Sequence, residues 1–246
     1  MSSRPFIKMH GLGNDFIVTY TGDGWSRDDA RRLAEEQCER RFGIGADSVL
    51  LVEWVDSDVV SFRIFERDGS ESDMCGNGLR CVAHHAHMEG FDRWPLTVMT
   101  KSGSRTVTPC EEGYEVDLGP ISVEHMSRYF DVDIGEPHRV ALTKDLYDYD
   151  FETNAKIYKG SDDTNVNIVE VVDENHIKVR TYERGVESET LSCGTGMGAC
   201  AAVLADSRKS DVTVEARGGN ATVVFNSGHA SLRAPAEYVY EGEISI

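Results

Sequence analysis

Along most of the chain, apolar and polar positions alternate in short runs, the spacing of strands with one buried face. Phe6 to Met9 and Phe16 to Tyr20 alternate in this way around the glycine-rich turn His10-Gly11-Leu12-Gly13-Asn14-Asp15. Ser26 stands as the N-cap of a helix predicted from Arg27 to about Arg41, with Leu33 and Ala34 on its apolar face. After a second turn, Gly43-Ile44-Gly45-Ala46-Asp47, the spans Ser48 to Trp54 and Val59 to Phe65 read as strands, the second ending at Arg67-Asp68-Gly69. A helix then runs through His87, followed by short strands at Leu96 to Met99, Ser104 to Thr108 and Tyr114 to Leu118. Beyond a linker near Gly119-Pro120, Val166 to Val172 and His176 to Tyr182 predict a hairpin around Asp173-Glu174-Asn175. A further helix follows, then strands at Val212 to Ala216, Ala221 to Phe225 and Ala230 to Ala234, and Glu237 to Ile246 is apolar enough to rejoin a sheet. The pattern predicts an α+β fold in two halves, 1–118 and 119–237, each with several mostly antiparallel strands and one long helix.

Those two long helices open in the same way. Met74-Cys75-Gly76-Asn77-Gly78-Leu79-Arg80-Cys81 and Leu191-Ser192-Cys193-Gly194-Thr195-Gly196-Met197-Gly198-Ala199-Cys200 both read Cys-Gly-Asn/Thr-Gly and run on into helix-forming residues, the second through an apolar run to Ala205. They lie about half a chain length apart, the spacing of an internal duplication. A cysteine in this place sits at a helix N-terminus, where outward-pointing N–H groups and the helix dipole favour negative charge. Such a thiol is expected to tend toward thiolate, with bare N–H groups beside it that can hold a carboxylate. One cysteine of this kind could be an ordinary buried thiol, but two in the same glycine-flanked setting point to a shared chemistry.

Charge narrows the partners. A formal net charge of -18 over 246 residues excludes nucleic acid and anionic membrane, which need a basic patch, and leaves small cationic or zwitterionic ligands. The few lysines, Lys8, Lys101, Lys144, Lys156, Lys159, Lys178 and Lys209, give an acidic, lysine-poor surface that fits a high-salt cytoplasm, where screening removes self-repulsion. The 6 cysteines come with no signal-peptide pattern at Met1-Ser2-Ser3-Arg4 and no apolar run of membrane-spanning length, so the expectation is a reduced, cytoplasmic protein. Cys75, Cys81, His84, His85 and His87 match no common zinc spacing, and no metal is expected. Cys81, His84 and His85 read as helix packing and surface, and Cys38, Cys110 and Cys200 as core or incidental.

Two thiols facing one another across a bound α-amino acid suit one reaction in particular. One thiolate removes the α-hydrogen while the opposite thiol delivers a proton to the other face, inverting the carbon. No lysine stands where it would suggest a pyridoxal Schiff base, so no cofactor is expected and the protein itself must stabilise the carbanion. N–H groups at Gly76, Asn77, Gly194 and Thr195 could hold the carboxylate as charge develops.

Lys8-Met9-His10-Gly11-Leu12-Gly13-Asn14-Asp15-Phe16, the Asp68-Gly69-Ser70 turn leading to the first cysteine stretch, and Tyr182-Glu183-Arg184-Gly185 leading to the second together resemble the diaminopimelate epimerase family. The likeness runs to Gly242-Glu243-Ile244. It implies a cofactor-independent epimerase of two pseudo-symmetric domains, each a mostly antiparallel sheet wrapped around a central helix, with the active site in the cleft between them. The last strand, 238–246, would join the first half, and a homodimer is compatible with the family. Carried over to this chain, it implies Cys75 and Cys193 as the acid/base pair with His138 and Glu183 beside them, and Asn14, Asn165 and Arg184 lining the substrate site.

The match breaks in places that bear on the substrate. Glu66 and Glu136 stand where the family usually has asparagines that help hold the distal amino-acid end of diaminopimelate, and Ser48 stands where glutamine or glycine is common. The segment from Gly185 to Thr190 is one residue longer than usual. Arg184 argues for a distal carboxylate, and Glu66 with Glu136 for a distal cation. The expectation is therefore conversion of LL- to meso-diaminopimelate, with racemisation of lysine, ornithine, arginine or histidine as the rival. A protein that binds an amino acid without turning it over is a third reading, against which the paired cysteines speak.

Overall fold

A computed structural model describes residues 3–147, 150–204, 211–226 and 228–245. The expected helix end at Ala205 and the last residue of the final strand, Ile246, lie outside them. The chain divides into two compact units, Met1–Val116 with Pro235–Ile246, and Asp117–Ala234.

The first unit opens with β1 (Ser3–Gly11) and β2 (Asn14–Tyr20), an antiparallel pair closed by Leu12-Gly13. Both turn residues have positive φ, 53° and 82°, the left-handed pair whose twist matches a hairpin. Leucine in that region is strained by roughly 1–2 kcal/mol, which burial of its side chain offsets. Helix α1 (Arg27–Gln37) then returns the chain so that β3 (Ser48–Asp56) lies parallel to β2, and β4 (Val59–Glu66) and the short β5 (Glu71–Ser72) follow antiparallel. Helix α2 (Gly76–Met88) crosses back, setting β6 (Leu96–Thr100) parallel to β4, and β7 (Gly103–Cys110) and β8 (Gly113–Pro120) complete a meander. Every α2 residue from Gly76 to Ala83 is buried, as expected of a helix enclosed by its sheet. Leu79, Val82, Ala83 and Ala86 pack with Met9, Val18, Leu50, Phe62, Val98 and Val116 on the sheet's inner face. Helix α1 covers the other face, burying Ala30, Leu33 and Ala34 against Ile17, Val49, Leu51 and Phe65.

Helix α1 begins where expected. The Ser26 hydroxyl accepts from the Asp29 N–H while the Asp29 carboxylate accepts from the Ser26 N–H, a capping box. It ends at Gln37 rather than near Arg41, because Gly45 and Ala46 turn back to donate to the Gln37 and Cys38 carbonyls, closing the helix with the loop that follows it.

The second unit repeats this order of pairings. Here β9 (Ser122–His125), β10 (Phe130–Asp133) and β11 (Pro137–Thr143) are antiparallel neighbours, and α3 (Phe151–Lys159) returns the chain so that β12 (Asn165–Asp173) runs parallel to β11. The expected hairpin follows as β12 and β13 (His176–Glu183), with β14 (Ser188–Thr190) short beside it. Helix α4 (Gly194–Leu204) then leads to β15 (Val212–Ala216) parallel to β13, and β16 (Gly219–Asn226) and β17 (His229–Ala234) form the closing meander. The last strand, β18 (Glu237–Ser245), returns to the first unit and pairs antiparallel with β1. Like α2, α4 is enclosed, buried from Gly194 through Ala202. A Cβ on Gly198 would stand 2.6 Å from Leu118 Cδ1 and 2.8 Å from Ile134 Cδ1. The hydrophobic pattern predicts nothing between the Gly119-Pro120 turn and Val166, yet three strands and α3 lie there. Asp150 as N-cap and Gly160 at the C-cap frame α3, and both are ordinary helix-end signals in the sequence.

Candidate functional site

In the first unit, Cys75 is the N-cap residue of α2, in extended backbone just before Gly76. Its Sγ donates to Asn14 Oδ1 at 3.3 Å, and Asn77 Nδ2 donates to the same oxygen at 3.2 Å. The Asn14 amide nitrogen donates to Asp47 Oδ2 at 3.0 Å, so its oxygen is turned toward the thiol. Asp47 is held in turn by Arg40 at 2.8 Å and Arg67 at 2.9 Å. At the other end Arg80 Nη2 donates to Asn77 Oδ1 at 2.6 Å. The result is one polar chain from Arg80 through Asn77 and Asn14 to Asp47, with the Cys75 thiol attached at its centre.

Arg80 is wholly buried, and no carboxylate pairs with it among the described residues. Its guanidinium leans on the Asn77 amide and the Pro235 carbonyl, while Nη1 has no hydrogen-bond partner among the described residues. Burial lowers its pKa and the neighbouring cysteine sulfurs raise it. A buried cation with that surrounding favours negative charge at nearby thiols.

Glu66, at the end of β4, sits one register step from Asp47. Its Oε2 accepts from Ser48 at 2.9 Å and its Oε1 from Ser72 at 2.6 Å. The two departures from the family pattern in this unit, Ser48 and Glu66, thus touch each other. The serine hydroxyls fix the carboxylate plane and leave each oxygen a further lone pair.

In the second unit, Cys193 directly precedes α4. Its Sγ accepts from the Gly196 N–H at 3.4 Å, as an N-cap side chain does, and lies 3.4 Å from Thr195 Oγ1. The helix terminus predicts a lowered pKa, and the structure corrects this for Cys193. Burial pushes the thiol well up, the Glu183 and Glu136 carboxylates add to the rise, and the bonds from Thr195 and Gly196 only partly oppose them.

His138 stands opposite Asn165 in the parallel β11–β12 register and is buried. The Glu183 carboxylate, at the end of β13, accepts from Thr190 Oγ1 at 2.8 Å. Asn165 Oδ1 accepts from the Arg184 backbone N–H at 2.9 Å and its Nδ2 donates to the Pro137 carbonyl at 3.2 Å, tying the Pro137-His138 corner to the Glu183-Arg184 corner. The Arg184 guanidinium meets Asp163 at 3.1 Å. That carboxylate is 80% exposed, and an exposed pair of this kind contributes about 0–1 kcal/mol, so an incoming carboxylate can displace it.

The structure therefore gathers Asn14, Cys75, Gly76 and Asn77 in one unit, with Glu66 a strand position away, and His138, Asn165, Glu183, Arg184, Cys193, Gly194 and Thr195 in the other. Glu136 precedes the Pro137-His138 corner and is felt electrostatically by Cys193. Sequence reasoning missed Asp47, Arg80, Asn167 and Thr181. Asp47 closes the Gly43-to-Asp47 turn and Asn167 lies two residues beyond Asn165 on the same strand face, signals that were present. His84 and His85 pack against aromatic hydroxyls, as expected, and His87 joins them: His84 and His87 share the Tyr114 hydroxyl at 3.2 and 3.0 Å, and His85 Nδ1 lies 2.7 Å from the Tyr20 hydroxyl. Cys81 is buried in the core beneath them. No helix among the described residues is long and apolar enough to cross a membrane.

Solved structures share this fold at low sequence identity. A phenazine biosynthesis protein of the PhzF family from Bacillus anthracis superposes with a TM-score of 0.80 at 17% identity over all of both chains. A hydroxyproline epimerase from Agrobacterium vitis, solved with trans-4-hydroxy-L-proline, gives 0.71 at 14% identity over 99% of this chain and 91% of its own. Among sequence relatives, a diaminopimelate epimerase from Methanocella arvoryzae is 37% identical over all of this chain and 98% of its own. Another from Vesicomyosocius okutanii is 35% identical over 98% of each. The family model described as diaminopimelate epimerase matches residues 6–124 and 130–244. With both cysteine-led helix starts inside the matched residues, the chain belongs to the diaminopimelate epimerase family and is an isomerase of the epimerase type.

Proposed function

We propose that this enzyme inverts an amino-acid α-carbon by a two-base reaction between Cys75 and Cys193, without pyridoxal, and that its substrate is LL-diaminopimelate, converted to the meso form. The observation that carries the reading is that each of two topologically equivalent units starts its enclosed helix with a cysteine followed by Gly-x-Gly. One sulfur, as thiolate, takes the α-hydrogen, and the electron pair left on carbon delocalises into the carboxylate. The N–H groups of Gly76, Asn77, Gly194 and Thr195 stabilise that charge as it forms. The opposite thiol then gives its own proton to the other face of the carbon, so the first sulfur ends with the substrate's α-hydrogen, the second has lost its proton to the product, and the net charge is unchanged. Burial and the Glu183 and Glu136 carboxylates favour the protonated form of Cys193, which supports assigning it the donor's part. The buried Arg80 favours negative charge on the first unit's sulfur, while the Asn14 oxygen accepts from its thiol form.

Arg184 with Asn165 accounts for a distal carboxylate, since an arginine fork matches it with two hydrogen bonds. Glu66, clasped by Ser48 and Ser72, accounts for the distal ammonium. The same clasp is what a racemase of a basic amino acid would use, and this second reading stands on Glu66 together with Glu136. Turnover of LL-diaminopimelate compared with lysine, ornithine, arginine and histidine decides between them. Inversion of diaminopimelate is expected. Turnover confined to the basic amino acids would overturn the substrate assignment and leave the two-thiol reaction standing, and Glu66→Asn with Glu136→Asn would then shift preference toward diaminopimelate.

A further inference from the structure

His138 is wholly enclosed, and what surrounds it fixes where its proton sits. Asn167, with no exposed surface, lies diagonally across the β11–β12 pair from His138. Its Nδ2 approaches the Arg139 backbone carbonyl at 3.4 Å, and its Oδ1 accepts from the Thr181 hydroxyl at 2.9 Å. A carbonyl can only accept, so the amide nitrogen must face it and the amide cannot be turned over. The same nitrogen lies 3.1 Å from His138 Nδ1. Asparagine supplies the hydrogen in that contact, which leaves Nδ1 as the lone-pair acceptor. A neutral imidazole with its lone pair on Nδ1 carries its hydrogen on Nε2. That Nε2 is buried and has no hydrogen-bond partner among the described residues.

We propose that Asn167 and Thr181 are positioning residues that lock His138 as the neutral Nε2–H tautomer, so that it serves the reaction as a hydrogen-bond donor and not as a proton acceptor. The proposal rests on the reading that His138 belongs to the site. Protonating Nδ1 would break the Asn167 bond and place a cation in a closed surrounding, beside the positive Arg184. Burial and then Arg184 hold the imidazole's pKa down to about 3. An unmet buried N–H costs free energy that an arriving acceptor recovers. The acceptor class is an anionic atom of the reacting complex, a substrate carboxylate oxygen or a sulfur. The wall that holds the amide also adjoins Cys193: a Cβ on Gly196 would stand 2.6 Å from Asn167 Oδ1 and 3.3 Å from Cys193 Sγ.

The test is the nitrogen NMR spectrum of the full-length enzyme labelled with 15N-histidine, with the His138 signals identified from their loss in His138→Gln. A protonated Nε2 and a bare Nδ1, unchanged through the neutral pH range, are expected. A protonated Nδ1, or titration of His138 near neutrality, would overturn the proposal. Asn167→Asp puts a carboxylate where the amide donor was, and is expected to draw the proton to Nδ1 and lower kcat on the order of 10²–10³ with KM little changed, as loss of one aimed donor does. Thr181→Val should loosen the tautomer and Thr181→Ser restore it. If Asn167→Asp loses activity while its histidine keeps the wild-type tautomer, the positioning role is wrong, although the two-thiol reading survives. Because the spectrum needs no turnover, it decides the tautomer even if the substrate assignment fails.

Discussion

Replacing Gly196 with alanine isolates how closely α4 is packed around its N-terminal end. In an exposed helix this change stabilises by up to about 1 kcal/mol, since glycine is the poorer helix former. Here the new Cβ would stand 2.6 Å from Asn167 Oδ1, nearer than side-chain carbons are found, and 3.2 and 3.3 Å from Cys193 Cβ and Sγ. Asn167 cannot retreat, being bonded to Thr181 on one side and to His138 and Arg139 on the other. Forcing a methyl into such a place costs roughly 1–3 kcal/mol, and leaving buried amide and imidazole groups without partners costs roughly 1–3 kcal/mol more. Set against the helix gain, the net loss is about 3 kcal/mol, which for a chain of this length lowers Tm by roughly 6–12 °C. Gly194→Ala is the control, because its Cβ would meet only Leu232 Cδ2 at an ordinary 3.6 Å. Thermal unfolding followed by circular dichroism compares the two. Should they melt within about 2 °C of each other, less than a 1 kcal/mol effect would produce, the packing argument is refuted.

Single Cys75→Ala and Cys193→Ala variants are each expected to abolish inversion in both directions, and Cys→Ser to cost several orders of magnitude, since a hydroxyl is a far weaker acid than a thiol; near wild-type turnover in either alanine variant would contradict the two-base reaction. Asp47→Ala should lower kcat by releasing the Asn14 amide, and in an Asn14→Ala background it should have almost no further effect, as a double-mutant cycle on kcat/KM would show. Burial alone would raise the Asp15 carboxyl, but the bonds and charges of Arg40 and Lys8 win and hold it down to about 2 from its ordinary 3.8. Its folded-state stabilisation is thus complete above the ordinary value and is lost as pH falls toward about 2, so acid unfolding should show a slope there that Asp15→Asn flattens. With a formal net charge of -18, the protein should gain stability as potassium chloride is added, and a falling Tm would count against a high-salt habitat.

The two cysteine-led helix starts and most strands were legible because glycine spacing and period-two alternation are local signals. The stretch from Ser122 to Lys159 was not. Its strands β9 and β10 are four residues each, too short for alternation to register, and α3 buries only Phe151 and Ala155, so its apolar stripe is thin. The end of α1 was misplaced because it is decided by a non-local return of Gly45 and Ala46 onto the helix carbonyls. The direction of the Cys193 shift was misread for a related reason. A helix N-terminus can be recognised in a sequence, but the burial that outweighs it here depends on the surrounding strands and on Glu183 and Glu136. Asn167 and Thr181 lie 14 positions apart and face each other only across the β12–β13 pair.

The measurement that bears most directly on the two-thiol reaction is turnover of LL-diaminopimelate in deuterium oxide, stopped early, with substrate and product separated and analysed for α-deuterium. Two sulfurs working on opposite faces should yield product that carries deuterium while recovered substrate keeps its hydrogen, because the incoming proton comes from a thiol already exchanged with solvent. Deuterium appearing in recovered substrate as fast as in product would contradict the account by showing that a single base serves both faces.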